Sequence, residues 1–179
     1  MGEASVRAGS AAMSGSRRLL IVGGIALAVW GMGYGLWYGV FAEHQALDSI
    51  GASLAGSFVA AAERNSTGME TSLEQYREAK YIYDRQVDVH GHWIGLAMLL
   101  IVLGIGFDRV NFSERVKLLL ALGLLAGSVV FPLGVLLQTM NHGPLPRGVA
   151  IVGSGFVIAA LLGSAVGVMA PDSSRADTG

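Results

Sequence analysis

The chain has 179 residues, 53% of them hydrophobic and 14% charged, with 26 glycines, no cysteine and a net charge of -1. Soluble domains carry roughly 25% charged residues, so this composition excludes an ordinary soluble enzyme and a disordered chain alike. The lack of cysteine removes disulfides, thiolate metal sites, iron–sulfur clusters and covalently attached haem, and the near-zero net charge gives no electrostatic basis for nucleic acid.

Residues 1–18, rich in Ala, Gly and Ser, read as a disordered inner tail ending in Arg17 and Arg18. An uncharged apolar stretch, 19–42, follows. A bilayer core needs about 20 such residues per helix. The stretch is too long for a signal peptide and no A-x-A site follows it, so it reads as an uncleaved anchor.

Residues 43–87 are polar and contain no proline, yet apolar residues recur at three- and four-residue steps. That period predicts an extramembrane helical hairpin. The break falls at Asn65-Ser66-Thr67-Gly68, with Thr67 and Glu70 spaced as a capping box. The predicted seam of the outgoing helix is Trp37, Val40, His44, Leu47, Gly51, Leu54 and Phe58. That of the returning helix is Leu73, Tyr76, Lys80, Tyr83, Val87, His90 and Ile94. Folding the two rods about residues 65–68 sets His44 opposite residue 89, level with His90 at the membrane surface.

Three further spans are predicted over 88–107, 118–140 and 149–170, and 171–179 reads as a second disordered inner tail. Pro132 should kink the third span. The fold class is therefore all-α: a four-transmembrane-helix bundle with a long extramembrane helical hairpin between spans 1 and 2. Small residues repeat at four-residue steps at Gly31, Gly35 and Gly39, at Gly123 and Gly127, and at Gly155, Ala159, Gly163 and Gly167. These predict close helix packing or a docking face. Arg17, Arg18, Arg109, Arg115 and Lys117 flank one side, whereas residues 43–89 carry eight acids against four bases. The positive-inside rule then puts both termini in the cytoplasm and the hairpin on the periplasmic face of a bacterial inner membrane.

In this topology all four histidines, His44, His90, His92 and His142, lie at outer ends of spans. Neutral imidazole ligates Cu, Zn, Fe and haem iron. The ligand set on this face comprises the four histidines with Glu43, Asp88 and Met140, and Gln138 is placed to orient His142. His90 and His92 point about 200° apart on a helix, so one is expected to face the bundle and the other to do a second job. Trp37, Tyr38, Phe41 and Trp93 read as an interfacial belt. Trp30 and Tyr34 lie deeper, where packing is the simpler role.

The run Val89-His90-Gly91-His92-Trp93-Ile94-Gly95 resembles the H-x-H-x-x-x-G start of small four-span membrane proteins. Those are themselves similar to a fragment of the haem–copper oxidase catalytic subunit. Here two residues, not three, separate His92 from Gly95. The resemblance implies low-spin haem b ligated by His90 or His92. No mid-membrane copper-centre histidine pair is present, so the chain is not expected to be an enzyme on its own.

Two functional expectations follow. One is a haem- or metal-binding subunit at the outer face, serving electron transfer or metal handling within a larger complex. The other is a non-catalytic accessory subunit of such a complex or of a homo-oligomer. It would dock through its glycine stripes, and its acidic hairpin would attract a basic soluble protein. A channel or transporter is a weaker expectation, because the spans hold almost no charge.

Overall fold

The computed structural model describes residues 13–171. The expected tails therefore lie largely outside the described residues, and α1 begins four residues ahead of the predicted boundary. Five helices follow in chain order: α1 (Gly15–Trp37), α2 (Glu43–Ala62), α3 (Ser66–Gly106), α4 (Glu114–Leu137) and α5 (Pro144–Met169). A single π-helical segment, Tyr38–Ala42, joins α1 to α2 without a loop. Among the described residues there is no strand. Four helical stretches are long and apolar enough to cross a membrane: Gly15–Ala62, Ser66–Arg109, Glu114–Leu137 and Pro144–Met169.

The first two are rods. At 1.5 Å per residue, the 48 residues of Gly15–Ala62 span about 70 Å and the 41 of α3 about 60 Å. They lie antiparallel along most of their length and continue past the bundle as the predicted hairpin. α4 seats on the α1–α3 pair, and α5 packs almost wholly on α4. The buried core runs through the first three of these, with Leu20, Trp93, Leu100, Phe107 and Leu124 almost fully enclosed. α4 continues through Pro132, which is itself buried.

Close backbone approach holds the pairs together. A Cβ on Gly31 would meet Trp93 and Ile94, one on Gly24 would meet the backbone of Ala97 and Ile101, and one on Gly104 would meet Leu20 and Ile21. Of the first-span stripe, Gly31 and Gly35 are thus spent on α3, while a Cβ on Gly39 would meet only Glu43. Between α4 and α5, Gly127 lies against Gly153 and Val157, Gly134 against Ala150, and Gly153 against Phe131. The predicted fourth-span row is only partly used. Gly163 meets Leu120 and Gly167 meets Val110 and Phe112, but Gly155 has open space around it. The buried row of α5 is Pro146, Ala150, Gly153, Val157, Ala160, Ser164 and Gly167.

At the termini end, α4 caps α1. The Ser16 amide donates to Glu114 Oε1 at 2.9 Å, placing a carboxylate at the positive end of the α1 dipole. Ser14 Oγ donates to Asp108 at 3.0 Å, and Arg17 pairs with the same carboxylate at 2.8 Å. Asn111 ties the connector to α5, donating through its amide to Gly167 O at 2.8 Å and through its side chain to Ala170 O at 2.7 Å.

The hairpin turns where the sequence breaks, but its cap differs. Asn65, not Thr67, is the N-cap of α3, and its Oδ1 accepts from the Gly68 amide at 3.0 Å. Asparagine is at least as good a cap as threonine, and it sits two residues earlier. Arg64, at φ 56°, takes the left-handed conformation that lets the chain reverse.

The seam of α2 also differs. Its buried residues are Ser57 and Ala60, continued by the half-buried Ala46, Ile50, Ser53 and Gly56. The predicted seam, His44, Leu47, Gly51, Leu54 and Phe58, is exposed. Trp37 and Val40, which head the predicted seam, are exposed as well, so that row lies on the outer face of the rod from its start; the buried row of α1 runs through Leu20, Gly24, Leu27 and Gly31. The π-helical segment then turns α2 by about a further 100° relative to an uninterrupted 3.6-residue period.

Candidate functional site

The polar groups of interest gather where the bundle becomes the hairpin. Heights along the rods are fixed by contacts: Gly35 faces His90, Glu43 reaches Tyr83, and Gly56 faces Ser72. On the other side of α3, Tyr81 lies beside Gln138 and Glu78 beside His142. The root of the hairpin is therefore level with Tyr81–Tyr83 on α3 and with the α4–α5 turn. His90 and His92 lie two to three turns deeper, at the height of the apolar part of α4.

The four histidines do not converge. His90 sits on the α1 face of α3. Its Nδ1 donates to Gly31 O at 3.0 Å and its ring occupies the space a Cβ of residue 35 would take. His92 faces α4, edge-to-face with Phe131 at 4.7 Å, and its Nδ1 is 2.6 Å from Asp88 O. The expected divergence of these two rings is thus present. His44 is exposed and lies nine residues beyond Gly35, ~13 Å of rise above His90. The expected level match fails because the turn falls earlier than 65–68 and the π-helical segment adds a residue to one rod only. His142 sits 3.5 Å from Glu78 and against the Tyr81 ring at 4.9 Å. Met140 is exposed, and Glu43 Oε1 accepts from Tyr83 at 3.4 Å. No group of three His, Asp or Glu side chains among the described residues could hold a metal ion.

What the rods do bring together is an aromatic joint. Tyr34 contacts Trp93 edge-on at 5.1 Å, Trp37 at 5.9 Å and Tyr38 in a stack at 6.4 Å. Trp30 meets Trp93 edge-on at 5.9 Å, and Tyr38 reaches Tyr83 at 6.4 Å. The Tyr34 hydroxyl donates to Gln86. The Trp93 indole N–H is buried without an oxygen or nitrogen partner. It lies within two edge-to-face ring contacts, where an aromatic face offers the weak acceptor. Gln86 and the π-helical segment are the members that sequence reasoning missed. Gln86 stands one helical turn from His90, so a polar stripe on the α1 side of α3 was the available signal. The comparison with family models, curated proteins and solved structures finds no match.

The joint is a lock. Tyr34–Gln86 and His90–Gly31 cross-brace the two rods within a span of about one helical turn, beside the buried Trp93 and Tyr38 rings. Both imidazoles place Nδ1 against a backbone carbonyl, Gly31 O for His90 and Asp88 O for His92, so each Nδ1 carries a proton and donates it. Half of the eight acids of residues 43–89 have a local basic partner. Glu74 pairs with Arg77, Asp84 with Lys80, Asp88 with Arg85, and Glu78 with His142. The Asp84 hydrogen bond raises the Lys80 ammonium above its usual value.

Above the joint, α2 turns apolar side chains away from α3. Leu47, Leu54, Phe58 and Val59 are exposed, Phe58 at 68%. From residue 49 to residue 62 there is no charged side chain. Ser72, the α3 residue beside Gly56, is six residues beyond Glu78, ~9 Å past the end of α4 and α5. Leu54, Phe58 and Val59 therefore lie beyond the reach of a bilayer fitted to the two shorter helices, whereas Leu47 is level with the α4–α5 turn.

Proposed function

We propose that the protein is a non-catalytic structural subunit of a membrane assembly, and that its hairpin is a rigid docking arm. The observation that carries this reading is the apolar, uncharged face of α2 above the bundle. Exposed apolar surface of this kind, with neither lipid nor protein over it, marks an interaction site. The glycine stripes support internal packing instead, being largely occupied by α3 and by the α4–α5 pair. Four of the eight acids of residues 43–89 are paired locally, which leaves the uncharged stretch 49–62 as the hairpin's most distinct face. The cluster of Arg17, Arg18, Arg109, Arg115 and Lys117 at the termini end supports a cytoplasmic placement of both termini in a bacterial inner membrane, with the hairpin periplasmic.

The test is the size of the particle extracted in mild detergent. The native chain should migrate well above its 18.6 kDa monomer, and the Leu54→Glu/Phe58→Glu variant near it. A native chain that is monomeric in every mild extraction refutes the docking role.

A second reading, a haem b or single-metal centre on His90 or His92, is favoured by one observation. An imidazole held through Nδ1–H by a backbone carbonyl, with Nε2 free, is the usual posture of a metal-ligating histidine. A reduced-minus-oxidised absorption spectrum with elemental analysis of the same sample decides it: no Soret band and no stoichiometric Cu, Zn or Fe removes this reading.

A further inference from the structure

The exposed face of α2 does not begin at the hairpin. Val22, Ile25, Val29, Met32, Leu36, Val40, Leu47, Leu54 and Phe58 are all exposed, and with His44 and Gly51 they recur at three- and four-residue steps along the whole rod. Two successive four-residue steps, Leu36 to Val40 to His44, fall across the π-helical segment, which keeps the row on one side of the rod despite the added residue. The result is a heptad seam about 55 Å long on the side turned away from α3, with no partner among the described residues.

We propose that this seam is a dimer interface, on which the α1–α2 rods of two copies of this chain pack side by side. The inference rests on the docking reading above and names its partner. Three observations select a second copy. Copies inserted with the same topology are necessarily parallel, so a two-fold axis along the rod sets each seam residue against its own counterpart. A self-facing seam must then be free of charge, and this one is: its only ionisable member is His44. Gly51 has nothing within 4 Å of its Cβ position, so the rods can approach closely at the middle of the outer half.

The area also fits. The nine apolar seam residues are 37–70% exposed. At on the order of 150 Å² per fully exposed side chain, they supply roughly 800 Å² per copy, matching the ~800 Å² per partner of a specific interface. Less than half of that lies on the hairpin, so the interface needs the membrane-length and outer segments together. One feature opposes it. Asp48 flanks the seam, and in a parallel pair each copy's Asp48 approaches the other's. Asp48→Asn should therefore tighten the pair.

The chain has no native cysteine, so single introduced cysteines report contacts without background. In native membranes under mild oxidation, Leu47→Cys, Leu54→Cys and Phe58→Cys should each give an adduct of twice the monomer mass. Gln75→Cys and Glu70→Cys, on α3, should not. In detergent, Leu54→Glu/Phe58→Glu should raise the dimer dissociation constant by more than about a hundredfold, because two unpaired carboxylates are buried in each copy. The α3 control Gln75→Glu should leave it unchanged. Equal cross-linking at seam and control positions overturns the proposal. Adducts only to a different polypeptide also overturn it, while leaving the docking arm in place. No adduct of any mass from any hairpin position overturns both.

Discussion

Gly35→Ala isolates the bundle's tightest side-chain contact. A Cβ at residue 35 would lie 2.4 Å from both Cε1 and Nδ1 of His90, far inside any real contact. The ring cannot retreat without releasing Gly31 O, 3.0 Å from its Nδ1. Two polar groups inside the bundle then lose their partners, at about 1–3 kcal/mol. Forcing a methyl into a packed interface adds about 1–3 kcal/mol. Replacing a helical glycine returns about 1 kcal/mol. The net expectation is about 2–4 kcal/mol of destabilisation, read as a shift in reversible unfolding in mixed micelles. The deciding measurement is the double-mutant cycle with His90→Ala. Once the imidazole is gone the methyl has room, and Gly35→Ala should become nearly neutral, a coupling of about 2–3 kcal/mol. If Gly35→Ala costs the same with and without His90, the ring is not what the glycine accommodates and the argument is refuted.

Gly33 and Gly95 have open space at their Cβ positions and helical backbones. Ala at either should be neutral or stabilising by up to about 1 kcal/mol in the same unfolding assay. Asn65→Ala removes the oxygen that caps α3 and should cost about 1 kcal/mol, with faster amide exchange confined to residues near the hairpin tip. Asp108, in the connector outside the spans, has its carboxyl held below the usual range, first by the Ser14 hydroxyl and then by Arg17. A carboxyl depressed in the folded state contributes above its unfolded value and loses that contribution as pH falls through the folded value. The fastening of α1 should therefore be constant near neutrality and weaken only as pH falls below the ordinary carboxyl value of 3.8, and Asp108→Asn should flatten that acid limb.

The helices, their order and the hairpin were legible because each rests on composition and period over long windows. Apolar length marks the four membrane-length stretches, and the proline-free, three- and four-step pattern of 43–87 marks the rods. What failed depends on single residues. The rod carries apolar residues on more than one face, so the row Trp37, Val40, Leu47, Leu54 and Phe58 reads as an inner seam when every member is exposed, and the residue added in Tyr38–Ala42 turns the α2 face further. A turn closed by Arg64 and Asn65 lowers every paired height, so His44 reads as level with His90 when Glu43 is level with Tyr83. The expected meeting of His44 and His90 inherits both errors. The fit of His90 to Gly35 escaped for a different reason: spacing shows that a glycine row exists, but not which side chain fills it.

The absence of any loop between bundle and arm has a mechanical corollary. With about 30 Å of α3 within the hydrocarbon, the other half of its ~60 Å stands clear as a strut clamped at its base by Tyr34, Gln86 and His90. Such a strut works as a gauge: whatever engages its tip is held at one fixed standoff from the lipid surface. Any sideways load applied there reaches the embedded helices as tilt, not as bending of a tether.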